Sequence, residues 1–181
     1  VSNNGMFKWY GVLGILLVFF CQINFIFQIQ PFLNWYFPII WFGYVLVIDA
    51  LVYKLKGRSL ISNRFGTLFG MIVLSMIFWV IFELINISSI QNWSYQGLER
   101  VANVKIFFGL LAFTTILPAF FETVELFRAI HLFDNVTLHK THKISKRFIH
   151  VMISLGIICF ILPFIWPEFT FPLVWASFFL F

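Results

Sequence analysis

The chain has 181 residues, 61% of them hydrophobic and only 10% charged, with a formal net charge of +5 and a mean hydropathy of +0.96. So little charged surface cannot clothe a water-soluble globule; this is the composition of a protein dissolved in a bilayer. No Walker loop, Gly-x-Ser-x-Gly, His-Glu-x-x-His or Rossmann fingerprint occurs, which sets nucleotide chemistry aside and gives no reason to expect a nucleic-acid partner.

Five long apolar stretches follow in chain order: Gly11 to Ile29, Tyr36 to Tyr53, Phe65 to Ile87, Lys105 to Phe127, and Phe148 to Ile165. A sixth begins near Phe169 and is cut off. At roughly 1.5 Å per residue, eighteen or so residues span about 27 Å, close to the hydrocarbon thickness of a membrane. Backbone amides and carbonyls find no water in lipid, so each stretch is expected to be a helix. The expected fold class is an all-α integral membrane protein with five complete transmembrane helices and the start of a sixth. A transmembrane β-barrel would need alternating segments, whereas Ile72 to Ile81 is apolar on every side.

Lys8, Lys54, Lys56, Arg58, Arg64, Arg128, Lys140, Lys143, Lys146 and Arg147 lie in alternate gaps, and the opposite gaps hold only Arg100 and Lys105. The positive-inside rule therefore places the N-terminus and both basic loops in the cytoplasm. Orientation accounts for this charge; contact with anionic headgroups is the lesser reading. Trp35, Tyr36, Trp93, Tyr95 and Trp166 fall at the outer ends of spans, as interfacial belts do. The 27 Phe residues read first as lipid-facing filler and second as the lining of a carotenoid or quinone groove.

The segment from Phe37 to Val47 aligns with Phe171 to Phe181, sharing Phe-Pro and a Trp three residues after the Pro. Four spans separate the copies, so the repeat is parallel. Residues 1–147 are then a first four-helix unit carrying a basic cytoplasmic loop at 128–147, and 148–181 begin a repeated unit. Residue 1 is Val and the sixth stretch is too short to cross, so the sequence is expected to be a fragment of a longer protein with two four-span halves. The N-terminal stretch lacks a small-residue cleavage site and reads as a retained helix. Cys21 and Cys159 lie inside spans as packing residues, and the sequons at Asn86, Asn92 and Asn135 are weak signals.

Carboxylates inside spans are costly, so such groups face the bundle interior, pair with a cation or take a proton. Asp49, Glu122, Glu125 and Arg128 fall at a common inner depth, with Glu125 and Arg128 spaced to pair at i, i+3. This inner-leaflet cluster reads as a structural ion-pair network, the sharper alternative being a proton or cation site or a headgroup pocket. Pro118 is expected to bend the fourth span, as a packing kink or beside a cavity. Ser75, Trp79, Glu83 and Asn86 share one face of the third span, and with Trp93 and Tyr95 they are candidates for an outer-interface pocket for a lipid headgroup or quinone ring. Hydrogen bonding between helices is the plainer account.

His131, His139, His142 and His150 cluster around the second basic loop. Only His131 and His150 approach spans, so haem ligation is disfavoured, and no metal site is expected. No cofactor is predicted, although a bound lipid, quinone or carotenoid stays open.

The run from Trp41 to Val52, followed by Gly57-Arg58-Ser59-Leu60, then Phe82-Glu83 with Asn86, Asn92-Trp93 with Tyr95, and Leu117-Pro118-Ala119 with Glu122, resembles an uncharacterised family of bacterial multi-pass membrane proteins. The resemblance covers most of residues 35–126. It implies the polytopic fold, the duplicated layout and a bacterial inner membrane as the location, transfers no catalytic roles, and draws attention to Asp49, Glu83, Asn86 and Glu122.

The expected function is that of a non-catalytic integral subunit packing against membrane lipids, pigments and other integral membrane chains in a larger complex. The alternatives are an intramembrane enzyme acting on a lipid or isoprenoid, with Asp49, Glu122 or Glu83 as general acid or base, and a transporter or proton pathway. No span shows the Gly-interrupted pattern of many carriers.

Overall fold

Long apolar runs without strand punctuation leave the helix as the way to satisfy the backbone, and the computed structural model, which describes residues 5–95, 101–134 and 144–180, is all-helical among them. In chain order come α1 (Trp9–Ile26), α2 (Tyr36–Lys56), α3 (Leu60–Asn63), α4 (Phe65–Ile85), a π-helical turn (Asn86–Ile90), α5 (Ala102–Phe113), α6 (Ile116–Ala129), α7 (Lys146–Ile165), α8 (Pro167–Thr170) and α9 (Pro172–Leu180). Among the described residues five helical segments are long and apolar enough to cross a membrane: Trp9–Ile26, Tyr36–Lys56, Phe65–Ile90, Ala102–Ala129 and Lys146–Ile165. Two compact units result, residues 1–80 with 96–136, and residues 81–95 with 137–181.

In the first unit α2 is the hub, packing on α1, α5 and α6. Its contact with α1 depends on small residues. A Cβ on Gly14 would come within 2.6 Å of the Gly43 carbonyl, and one on Gly43 within 3.0 Å of the Gly14 carbonyl. The two backbones therefore meet directly, which is how helices associate where no hydrophobic force drives them together. At the far end of α2, Trp35 stacks on Phe108 of α5 at 4.8 Å and 18°. Nearer its middle, the Tyr44 hydroxyl hydrogen-bonds that of Thr123 on α6 at 2.7 Å. Helix α2 stops at Gly57, which takes φ 70° and caps it in the left-handed conformation, with Lys54 and Lys56 in the last turn where the helix dipole favours cations.

The fourth span differs from the single bent helix read in the sequence. It is interrupted at Thr114 and Thr115, between α5 and α6. Pro118 has no N–H to offer Thr114, so the ladder fails one turn before the proline, and the break lies there instead of at Pro118 itself.

In the second unit α7 and α9 pack together and α8 joins them, with Pro167 at its first turn. Phe82 stacks on Trp175 at 5.9 Å and 14°, and Phe160 meets Phe178 edge-on at 6.4 Å. Pro163 is inside α7 near its C-terminus.

Candidate functional site

The segment from Lys56 to Phe65, read in the sequence as a plain basic loop, folds back instead. After Gly57 turns the chain, Ser59 caps α3: its hydroxyl accepts from Ser62 N at 3.4 Å, and its own N–H donates to Asn63 Oδ1 at 3.1 Å. This reciprocal arrangement is of the capping-box kind. Ser59 and Leu60 are buried as a result, and the Leu60 and Ile61 amides meet two carboxyl groups. Ile61 N–H donates to Asp49 Oδ1 at 2.8 Å, and Leu60 N–H to Glu122 Oε1 at 3.4 Å.

Asp49 on α2 and Glu122 on α6 are 0% and 1% exposed, and their carboxyl groups adjoin. Tyr10 of α1 donates its hydroxyl to Asp49 Oδ2 at 2.5 Å and lies 3.0 Å from Ser62 Oγ. One turn on, Glu125 accepts from Lys56 Nζ at 2.8 Å and from Arg128 Nη1 at 3.3 Å. The candidate inner residues thus form two adjoining parts. One is a dry part made of Asp49, Glu122, Tyr10 and the α3 turn, and the other is a half-exposed ion-pair part made of Glu125, Lys56 and Arg128. Sequence reasoning missed Tyr10, Ser59 and Ser62. The signal for Ser59 was present in Gly57 followed by a Ser and an Asn at capping distance; Tyr10 carried none, because only the antiparallel packing of α1 on α2 brings it to Asp49.

The residues proposed for an outer pocket separate along α4. Ser75 belongs to the first unit: its hydroxyl donates to Phe113 O at 2.5 Å and accepts Leu117 N–H at 3.1 Å. Those two backbone groups would otherwise bond each other across the break between α5 and α6, so Ser75 is inserted into the ladder. Trp79, one turn on, stacks on Phe113 at 6.1 Å and 20°.

Glu83, Asn86, Trp93 and Tyr95 come together in the second unit. Asn86 Oδ1 accepts from the Asn92 and Trp93 amides at 3.0 and 3.3 Å, while its Nδ2 donates to Trp93 O at 3.0 Å. One buried amide side chain thus holds the turn that follows the π-helical end of α4, and its sequon is occupied by this role. The turn returns Trp93 Nε1 and the Tyr95 hydroxyl to Glu83 Oε2, at 3.2 and 3.0 Å. Burial, together with the hydrogen bond to Glu83, pushes the Tyr95 phenol above its ordinary value. Trp93 also packs against Phe171 at 5.2 Å.

His131 Nδ1 lies 2.5 Å from Asp134 Oδ2, and His150 Nδ1 lies 2.6 Å from Lys146 O, both exposed. His139 and His142 lie outside the described residues, as does Asn135. Among the described residues no group of three or more His, Cys, Asp or Glu side chains is placed to hold a metal. Cys21 is buried and Cys159 partly so, both as free thiols. A surface hollow of about 290 Å³ lies at the turn of Ile165, Trp166, Pro167, Glu168 and Phe169, and none of the polar residues above lines it.

No protein family model, characterised protein or solved structure matches this chain.

Proposed function

We propose that the chain is a multi-pass integral protein of a bacterial inner membrane, N-terminus inside, serving as a non-catalytic subunit that packs against other membrane chains, lipids or pigments. The observation that carries this reading is how most of the polar side chains within its long apolar helices are used. Asp49, Ser75, Asn86 and Glu125 each bridge separate backbone segments or helices and have their acceptor positions taken up. Side chains committed in this way are fasteners between helices. Helix α7 adds a second support, since only 11% of its span is buried and its apolar faces are open to lipid or to neighbouring helices.

An intramembrane enzyme needs a carboxyl group that can reach a bound substrate; Asp49 already accepts two hydrogen bonds, Glu83 Oε2 accepts from Trp93 and Tyr95, and Glu122 is 1% exposed. A carrier reading gains from the interrupted fourth span, because discontinuous helices build many carrier sites. It loses because Ser75 occupies the freed Phe113 carbonyl and Leu117 amide, leaving neither for cargo. The parallel duplication remains part of the proposal, supported by the position of both Phe-Pro pairs at helix starts, Pro38 in α2 and Pro172 in α9.

Gentle solubilisation from the native membrane, followed by mass spectrometry of co-migrating chains and pigments, tests the assembly. A protein that migrates alone at its own mass removes the proposal. Labelling of Lys56 and Lys143 from opposite sides of the membrane would overturn the orientation.

A further inference from the structure

Among the described buried side chains at the basic end of the first unit, one polar atom has no hydrogen-bond partner: Glu122 Oε2. Its surroundings are set by five segments. From α1 comes Tyr10, whose hydroxyl hydrogen is committed to Asp49. From α2 come Asp49 itself and Lys56, the latter paired with Glu125. The α3 turn offers Ser59, Ser62 and the Leu60 amide, whose bond to Glu122 Oε1 is long at 3.4 Å. Arg64 follows α3; its charge reaches Glu122, yet it is exposed and makes no ion pair there. On α6 itself, Arg128 is engaged with Glu125.

Glu122 is therefore a carboxyl group 1% exposed, with one weak donor, no bonded cation and a second carboxyl group at its side. An unpaired charge in such a place costs several kcal/mol at least, and two adjoining carboxyl groups in a dry site do not both stay ionised. The two are not equivalent. Both Asp49 oxygens act as acceptors, from Tyr10 and from Ile61, which is the arrangement of a carboxylate, whereas Glu122 Oε2 accepts nothing. A metal cation fits poorly, because the polar hydrogens of Tyr10, Leu60 and Ile61 converge where a cation would need lone pairs.

We propose that Glu122 Oε2 is a proton-binding site, occupied at neutral pH, so that the Asp49–Glu122 pair carries one negative charge and one proton beneath the α3 turn. The pair is then a buried acid whose single charge matches the single strong set of donors supplied by Tyr10 and Ile61. This assignment stands whether or not the chain assembles with partners.

Infrared spectroscopy of the purified full chain in D2O at neutral pH tests it. The wild type should show a protonated-carboxyl C=O band that disappears in E122Q, persists in E125Q, and is unchanged when sodium chloride is raised. A spectrum of E122Q that matches the wild type in the acid C=O region overturns the proposal, and a loss of carboxylate intensity in its place would show Glu122 to be ionised. So does loss of the acid band on adding sodium, which would make the site one for a cation. If E122Q does not fold, E122D with 13C-labelled aspartate reads the same site. The acid band should then carry the aspartate isotope shift in E122D and stay unshifted in wild type labelled the same way; an unshifted band in E122D, or a shifted one in the wild type, where Asp49 would hold the proton, overturns the proposal.

Discussion

Ser75 reaches from α4 to the break between α5 and α6 and takes the Phe113 carbonyl at 2.5 Å, standing where the Leu117 amide would stand in an unbroken helix. A residue of one span thereby sets the shape of another, and the break between α5 and α6 is fixed by that hydroxyl together with the amide missing at Pro118.

Replacing Ser75 by Ala leaves both Phe113 O and Leu117 N–H without their shared partner in a site that is dry. A loss of about 1–3 kcal/mol is expected. Ser75→Thr, which keeps the hydroxyl, should retain more of the stability. Denaturation in mixed detergent micelles measures both, and an unchanged Ser75→Ala would show that the span closes on itself at no cost.

Asp49→Ala removes the acceptor of both the Tyr10 hydroxyl and the Ile61 amide, groups buried by the α3 turn. It should destabilise the first unit by about 3 kcal/mol, the range for breaking a buried polar network. The turn should loosen with it. Arg58 and Arg64 flank the turn and are exposed, so limited trypsin digestion should cut there faster than in the wild type.

Gly14→Ala places a methyl group 2.6 Å from the Gly43 carbonyl and forces α1 and α2 apart, an overpacking that costs about 1–3 kcal/mol. Gly66→Ala meets nothing within 4 Å. There the gain in helix propensity should stabilise by up to about 1 kcal/mol. Thermal unfolding of the two variants should therefore move in opposite directions.

The Tyr95 phenol, raised by burial and by its bond to Glu83, has a higher folded than unfolded value, so its contribution to the turn after α4 is present at neutral pH and is lost as pH climbs through the folded value. The ultraviolet tyrosinate signal lost in Tyr95→Phe should have its midpoint above about 10. In Glu83→Gln the Tyr95 component should titrate earlier. A Tyr95 component with an ordinary midpoint in the wild type would show that the turn is not held as described.

The apolar runs settled much of this molecule on their own. Where a stretch such as Ile72 to Ile81 carries no charge and only one small hydroxyl, a helix is what satisfies its backbone, so helical class and the presence of helices long and apolar enough to cross a membrane follow from composition. The pairing of Glu125 with Arg128 was equally local, because three residues of helix bring them together. Contacts between distant segments were a different matter. That Tyr10 meets Asp49 depends on Gly14 and Gly43 letting two helices touch, and that Ser75 enters the fourth span depends on where α4 lies against it. The spacing of Ser75, Trp79, Glu83 and Asn86 gave a common face but not a common partner. Helix periodicity states which side a residue is on; which backbone groups are free to meet it is decided by packing and by where the opposing chain has lost a hydrogen bond.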